Sequence, residues 1–577
     1  MENQRTFLLI ALMVIGAVLF QKWVEFSGQP TSDQKMSAVD SVGDLAVPVI
    51  SKEDTNNAVI IEPENRNTAQ RDRATEVPTI EATVQKVGLE RISQNADGSL
   101  ITVETDMVIA KINTNGGILE RVELKKEPVS LEEPNKGFPL LKRTATDIFI
   151  IQDGLATTSD QQAPNHLEKY SSNKLNYQLD GSDKVVVPLT WVSDNGVAFV
   201  KTFTFNKDSY VIDVDYQINN GSTIDWVGQH YGSLLRTAPE DSGGGFGRLP
   251  SHTGPAYYTE AEKYNKLKFD DMEDEALKLE TDAGWIAMLQ HYFVAAWVPE
   301  TGAKSFDTKI KTLDGKNIYE VRYRSKDKSV IHPGAIGHIT SRLYVGSKEQ
   351  VRLKTASEKY EIVGLPLTVD YGFLTFIADP LFSVLSWIHS VVGNWGWAII
   401  LLTVMIKGIF YPLSAASYKS MAGMKKLQPR IKTLKERYKD DKPKFQAEMM
   451  ALYKTEKINP AGGCLPILVQ IPVFISLYWA LLESVEIRQA PFALWWQDLS
   501  APDPYYVLPV LMGLSMWAQQ QLNPAPMDDI QKKVMMVMPV ALTFLFLTFP
   551  QGLVLYWVVN NVLSMAQQWL INKRHAS

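Results

Sequence analysis

A lysine interrupts an otherwise apolar run that is long enough to cross a bilayer. Lys407 is the thirteenth of the 24 residues Trp395–Tyr418 (WGWAIILLTVMIKGIFYPLSAASY). About 20 apolar residues span the hydrocarbon core, so this charge falls near mid-depth, where it costs at least ~2.5–3.5 kcal/mol on insertion scales. Such a chain folds stably only if something hydrates or pairs the ammonium. Lysines at the ends of spans snorkel to the headgroups, which is the bland reading. Gly408, Ile409, Phe410 and Tyr411 still follow, however. The ammonium therefore needs either a wet cavity or a partner inside a helix bundle. No span supplies a clear carboxylate, because Glu483 and Glu486 fall at the outer end of a later span. A water-filled cavity is the preferred reading.

The chain has 577 residues, enough for several domains. Its formal charge of -6 does not suggest a nucleic-acid binder, but the charge is unevenly placed. Cys464 is the only cysteine, which excludes an internal disulfide and a cysteine-rich zinc site. The eight histidines form no HxH or HxxxH pair, so neither a metal nor another cofactor is expected. Gly243-Gly244-Gly245 lacks the following Lys-Ser/Thr of a phosphate loop and reads as a mobile loop. The acidic run Asp270, Asp271, Glu273, Asp274 and Glu275 does not have the spacing of an EF-hand and reads as a solvated charge run.

Hydropathy divides the chain. The apolar run Phe7–Phe20 is followed by Lys22 and Trp23 but by no convincing small-x-small site. Residues 1–26 are therefore expected to be an uncleaved anchor; the alternative is a cleaved secretory signal. Residues 27–80 are rich in Ser, Asp, Asn, Glu, Pro and Thr and read as a flexible tether. Over 81–350 short alternating runs dominate. Tyr210, Ile212, Val214, Tyr216 and Ile218 alternate with Val211, Asp213, Asp215, Gln217 and Asn219, and Phe199, Phe203 and Phe205 alternate similarly with Val200, Thr202 and Thr204. Turn signals at Asn115-Gly116-Gly117 and Asn219-Asn220-Gly221 complete the picture of a β-sandwich.

Residues 351–394 read as a linker and an interfacial helix. Phe373–Val392, broken by Asp379-Pro380, is expected to lie along the membrane surface, with a buried strut as the alternative. From 395 onward a five-helix core is expected. After Trp395–Tyr418 come spans at Cys464–Leu482, Tyr505–Leu522, Val534–Pro550 and Leu553–Ile571, which with the anchor makes six transmembrane helices. The segment 419–460 between the second and third spans carries twelve Lys/Arg against five Asp/Glu. Positive loops stay in the cytoplasm. Both termini and this loop therefore face inward, and the β domain faces the periplasm. Lys442-Pro443 splits the loop into two helical arms, with apolar Leu427, Ile431, Leu434 and then Phe445, Met449, Leu452 at helical spacing. Its basic residues Lys425, Lys426, Arg430, Lys432, Lys435 and Arg437 serve either as a topology signal held at acidic headgroups or as a dock for a ribosome or an emerging polypeptide.

Other spans carry groups that could wet a cavity around Lys407. Thr403 lies one turn before it. Gln470 and Ser476, Ser515 and Gln519, Thr543, and Asn560, Asn561 and Ser564 lie in the four later spans. Each taken alone reads as an interhelical hydrogen-bonding residue. Together with a mid-depth lysine they suggest a hydrophilic concavity, shaped by bends at Pro412, Pro466, Pro472 and Pro539.

Several stretches resemble the YidC-type membrane protein insertases of Gram-negative bacteria, relatives of the mitochondrial Oxa and chloroplast Alb proteins. They are GNWGWAIILLTVMIKGIFYPL, the loop LQPRIKTLKERYKDDKPKFQAEMMALYKTEKINPAGGCLPILVQIPVF, SVEIRQAPFALWWQDLSAPDPYYVLP, FPQGLVLYWVVNN and, in the β domain, GWIAMLQHYFVAAWVP. The resemblance implies a polytopic α-helical membrane protein with a large periplasmic β-supersandwich. It also implies a groove open to cytoplasm and lipid but closed toward the periplasm. In that family a positive residue of the first core helix draws the polar part of a substrate into the groove; Lys407 occupies the position, where arginine is usual. Lysine keeps the charge but not the guanidinium fork. Thr403 and Trp557 match substrate-contacting positions, with Trp557 replacing a tyrosine. The family's basic carboxy-terminal tail, sometimes used in ribosome contact, is very short here, ending NKRHAS, so the resemblance implies that the hairpin would carry more of that role.

The expected function is that of an inner-membrane insertase and chaperone without covalent chemistry. Lys407, Thr403, Gln470, Ser515, Asn560 and Trp557 would line its groove. Its partners would be nascent membrane proteins, the Sec translocon, ribosomes and membrane lipids. A small-anion transporter is the first rival, but no inverted repeat is apparent. An intramembrane enzyme is the second; Lys407 and Ser414 are two turns apart and out of mutual reach.

Overall fold

Alternation of apolar and polar residues builds the first half of the molecule. In the computed structural model, residues 58–60, 99–144, 146–158, 160–238, 251–313, 316–439, 441–456, 465–522 and 529–576 are described. Ala58–Ile60 and the strands between Leu100 and Ser347 form two sheets of twelve and eight strands, antiparallel apart from two short parallel pairings. In Val211–Asn220, Ile212, Val214, Tyr216 and Ile218 point inward, and the strand pairs with Val197–Asn206 and Ile336–Ser347. A one-residue slip would turn that whole set to solvent, so the register is tightly specified. The expected anchor 1–26 and the Gly243–Gly245 run lie outside the described residues. Within the expected tether, Ala58–Ile60 pairs in parallel with Lys328–Val330, a departure from a segment without structure. The acidic run sits on the exposed six-residue helix Phe269–Asp274 and its C-cap, with Glu273 accepting from Tyr319 and Asn317.

Charges are buried between the sheets, and each has a partner. Lys201 donates to Asp153 at 2.7 Å and to the carbonyl of Gly117 at 2.8 Å. Asp153 also accepts from Tyr216 at 3.0 Å and faces His230 Nε2 at 3.2 Å, while Tyr323 meets His230 Nδ1 at 2.6 Å. Burial by itself would raise the Asp153 carboxyl, but the Lys201 ammonium outweighs it and holds the group below the usual carboxylate range.

Helices follow. We name Gln350–Tyr360 α1, Thr375–Val392 α2, Trp395–Ile409 α3, Tyr411–Arg437 α4, Lys442–Thr455 α5, Leu465–Glu483 α6, Val507–Leu522 α7, Asp529–Phe546 α8 and Gln551–Ala576 α9. The run 395–418 is not one helix, contrary to the expectation of a single continuous span. It breaks at Phe410, and α3 and α4 are bent by 67°. Pro412 is the physical reason: it has no N–H to offer the Gly408 carbonyl and disfavours helical backbone at the residue before it. Lys407 accordingly lies in the last turn of a 15-residue helix rather than at the centre of a long one. No break separates the end of the expected span from the basic arm, because α4 runs through both. Among the described residues, 372–392 is the one helical stretch long and apolar enough to cross a bilayer unbroken. It packs Ala378, Phe382, Leu385 and Ile388 inward, while its outward face mixes Phe376, Trp387 and Val391 with Asp379, Ser383 and Ser390.

A polar joint fastens the β domain to the helices. Arg488 donates to the carbonyls of Pro128 and Val129 at 2.7 and 3.2 Å and lies 3.7 Å from Glu127. Glu483 accepts from Ser251 at 3.1 Å and sits 3.6 Å from the buried Lys348. His291 reaches the Leu482 carbonyl at 2.8 Å. Glu486 receives the backbone N–H of Gln350 at 3.0 Å, a carboxylate at the amino end of α1 where the helix dipole favours it.

Burial nevertheless pushes the Glu486 carboxyl up to about 7, and that of Glu127 likewise to about 7 in spite of Arg488. A carboxyl raised in this way binds its proton more tightly in the folded state. Its contribution is full below the ordinary value of 4.5 and is lost as pH rises through about 7. Glu486→Gln keeps an acceptor for Gln350 and cannot ionise. It is expected to stabilise the protein at about pH 8, by up to about 3 kcal/mol, and to lose that advantage under acid conditions. Thermal unfolding of the purified chain at both pH values checks this.

Candidate functional site

Three helices meet at Lys407. The apolar faces of α3, α6 and α9 pack through Ile399, Leu402, Leu477, Leu481, Leu553 and Tyr556, all buried, and this packing brings three polar stripes together. Lys407 is only 8% exposed. Its Nζ donates to Ser564 Oγ of α9 at 2.8 Å and reaches Gln470 Oε1 of α6 at 3.5 Å. Gln470 donates in turn to Asn560, and Ser564 closes on the Asn560 carbonyl at 2.7 Å. Gln567 donates to the backbone carbonyl of Lys407 at 3.3 Å. Among the described residues no carboxylate lies within ion-pair reach of Nζ. Glu483, the one acid at the end of α6, is engaged with Lys348 at the joint instead. An ammonium surrounded by neutral oxygens remains able to attract an anion, whereas a carboxylate partner would have cancelled its field.

Beside the cluster lies a small, partly enclosed pocket of about 20 Å³. Ile406, Phe410 and Val473 give it apolar walls, and Lys407, Ser414 and Gln470 give it a polar side. The lining sets apolar side chains beside one polar, cationic point.

The six groove residues expected from sequence divide. Lys407, Gln470 and Asn560 form one hydrogen-bonded cluster. Ser515 belongs to a second, where its Oγ accepts from Asn561 at 2.9 Å. Thr403 is buried, and its hydroxyl donates to the Ile399 carbonyl of its own helix at 2.6 Å. Trp557 packs against Phe474 at 4.4 Å and Phe546 at 5.4 Å, with its indole N–H buried and unpartnered among the described residues. Ser564, named among the groups that could wet the cavity but not among the six, joins the lysine cluster, as does Gln567, which was not named. The signal was present: residues 560, 564 and 567 follow the spacing of one helix face.

The six basic residues named on the loop 419–460 are all exposed along α4. α5 folds back on this arm, burying Leu427, Ile431 and Tyr453 against Met424, Phe445, Met449 and Leu452. Asp441 caps α5 by accepting from Lys444 N at 3.0 Å.

Ser564→Val is expected to strip the buried ammonium of its nearest acceptor and to destabilise the helical core by about 1–3 kcal/mol, with Ser564→Thr close to the parent. Thermal unfolding in lipid nanodiscs separates the two.

Two family models match the chain. Residues 387–577 match the 60Kd inner membrane protein, and residues 100–384 match the YidC periplasmic domain. A membrane protein insertase YidC of Methylobacillus flagellatus is 46% identical over 576 residues, covering 99% of this chain and 97% of that one. Another, from Nitrosococcus oceani, is 48% identical over 478 residues, covering 82% and 85%. A crystal structure of an active YidC insertase with its first transmembrane domain resolved aligns over 84% of this chain and 98% of that one, at 19% identity and a TM-score of 0.36.

Proposed function

The chain belongs to the YidC family of membrane protein insertases, and from that premise we propose how its helical core moves a client segment. It is an insertase of the inner membrane, with a periplasmic β-rich domain and a helical carboxy-terminal region, and its clients are nascent membrane proteins. The finer reading has six transmembrane helices, the last five forming the core. Both termini and the α4–α5 hairpin are cytoplasmic, and α2 lies along the membrane surface. The mixed outward face of α2 supports the last point.

A client enters from the cytoplasm with its polar or acidic flank drawn by Lys407. Its apolar part slides past α6 and α9 into lipid. The observation that carries this is the lysine cluster, whose ammonium is hydrogen-bonded to neutral oxygens and flanks a small, largely apolar pocket that client entry would widen. Burial of apolar surface in lipid drives the movement. Gln470 and Asn560 hydrate the polar flank at the cost of their mutual hydrogen bond. Entry parts α3 from α9 and uncovers Thr403; Trp557 offers a ring face to the apolar part, and Ser515 wets the deeper end. The hairpin receives the ribosome, lipids surround the core, and the protein acts alone or with the Sec translocon.

Lys407→Arg is expected to retain insertion, and Lys407→Glu to abolish it for clients with acidic flanks. Protease protection of clients translated into proteoliposomes reads both; equal activity of Lys407→Glu and the parent rejects charge attraction. Changing Lys425, Lys426, Arg430, Lys432, Lys435 and Arg437 together to Gln should weaken co-sedimentation with ribosomes, the difference shrinking as salt rises. Unaltered co-sedimentation at low salt would remove the hairpin from that role.

A further inference from the structure

The loop joining α6 to α7, residues 488–506, turns large apolar side chains outward from a rigid backbone. Leu494 is 71% exposed, Tyr505 68% and Tyr506 51%. Leu494 and Tyr506 hold φ of 54° and 56°, the left-handed region that bulky residues avoid. Such backbone persists only where its surroundings over-determine it, at about 1–3 kcal/mol per residue. Two aspartates supply that constraint. Asp498 Oδ1 accepts from Gln489 N, Ser500 N and Ser500 Oγ at 2.7–2.9 Å. The buried Asp503 accepts from Tyr505 N, Leu508 N and the Trp496 indole at 2.8–3.2 Å.

We infer that this loop is an aromatic anchor seated in the headgroup layer of the periplasmic leaflet, with lipid itself as its partner. The inference rests on the topology proposed above. Continuity with the lipid-facing surface selects lipid over another occupant. Trp397 of α3 packs on Phe492 at 5.7 Å, Phe492 on Trp496 at 5.9 Å, Trp496 on Trp495 at 5.1 Å, and Trp495 on Tyr505 at 5.7 Å. This row of rings joins α3, which exposes Leu401 and Val404, to α7, which exposes Val510 and Leu514. Trp and Tyr are the side chains that favour the membrane interface, apolar at one end and polar at the other. From 489 to 506 the only charges are Asp498 and Asp503, both turned into the loop's own backbone, so no free charge opposes entry among headgroups.

The test uses the full chain with Cys464→Ser and a single new cysteine at Leu494 or Tyr506, labelled with an environment-sensitive fluorophore. A third variant, Ser182→Cys on an exposed turn of the β domain, serves as reference. The proteins are reconstituted in phosphatidylethanolamine–phosphatidylglycerol vesicles with or without lipids doxyl-labelled near the headgroup. The anchor requires that doxyl lipid remove most of the emission at 494 and 506 but not at 182, with aqueous iodide giving the reverse order. Quenching at 494 and 506 by iodide alone overturns it. So does protection from both quenchers, which would mean that protein, a second copy or another chain, covers the patch. Client insertion measured in the same vesicles separates the two readings: normal insertion with water-exposed probes defeats the anchor and leaves the insertase reading intact.

Discussion

The hydrogen bond from Lys407 Nζ to Ser564 Oγ ties the helix before the Phe410 break to the final helix of the chain. A lone ammonium among packed apolar side chains would be too costly to keep charged, so a fold retaining one must surround it with acceptors. Gln470, Asn560 and Ser564 come from two helices that follow in sequence by more than sixty residues. The assembly of α3, α6 and α9 and the solvation of Lys407 are therefore one event. Since every partner is neutral, no neighbouring carboxylate cancels the charge.

The same rule operates outside the helices, with a different outcome. Between the sheets, Lys201 meets Asp153, and Tyr216, His230 and Tyr323 take up the remaining polar atoms. That network is closed: its charges cancel, and it contributes specificity to the sandwich rather than a binding site. At the joint, Arg488, Glu127, Lys348 and Glu483 pair across the boundary between domain and helices. Buried pairs of this kind are strongly destabilised when one partner is lost, so the β domain and the helical core are held in a fixed relation. Three clusters of buried charge thus do three things: one closes a core, one fastens two parts together, and one stays unneutralised beside a small pocket.

Much of this was legible because it depends on periodicity. The two-residue alternation of 210–218 requires a half-buried strand wherever its neighbours lie, and Lys442-Pro443 separates two amphipathic arms by local chemistry alone. Lys407 identifies itself because a charge in an apolar run has few harmless explanations. The acceptors were harder to choose, since Asn560 and Asn561, adjacent in sequence, point about 100° apart around α9. One meets Gln470 and the other Ser515.

Sequence alone determined the order of segments, the β-rich and helical character of the two halves, and the presence of one uncompensated cation, because each follows from local pattern and composition. Tertiary structure decided that Pro412 bends the first core helix by 67° against α4, that Ser564 rather than Thr403 holds the ammonium, and that Glu483 is drawn to Lys348. Those outcomes depend on which helix faces pack together, and packing is a property of surfaces brought together from distant parts of the chain.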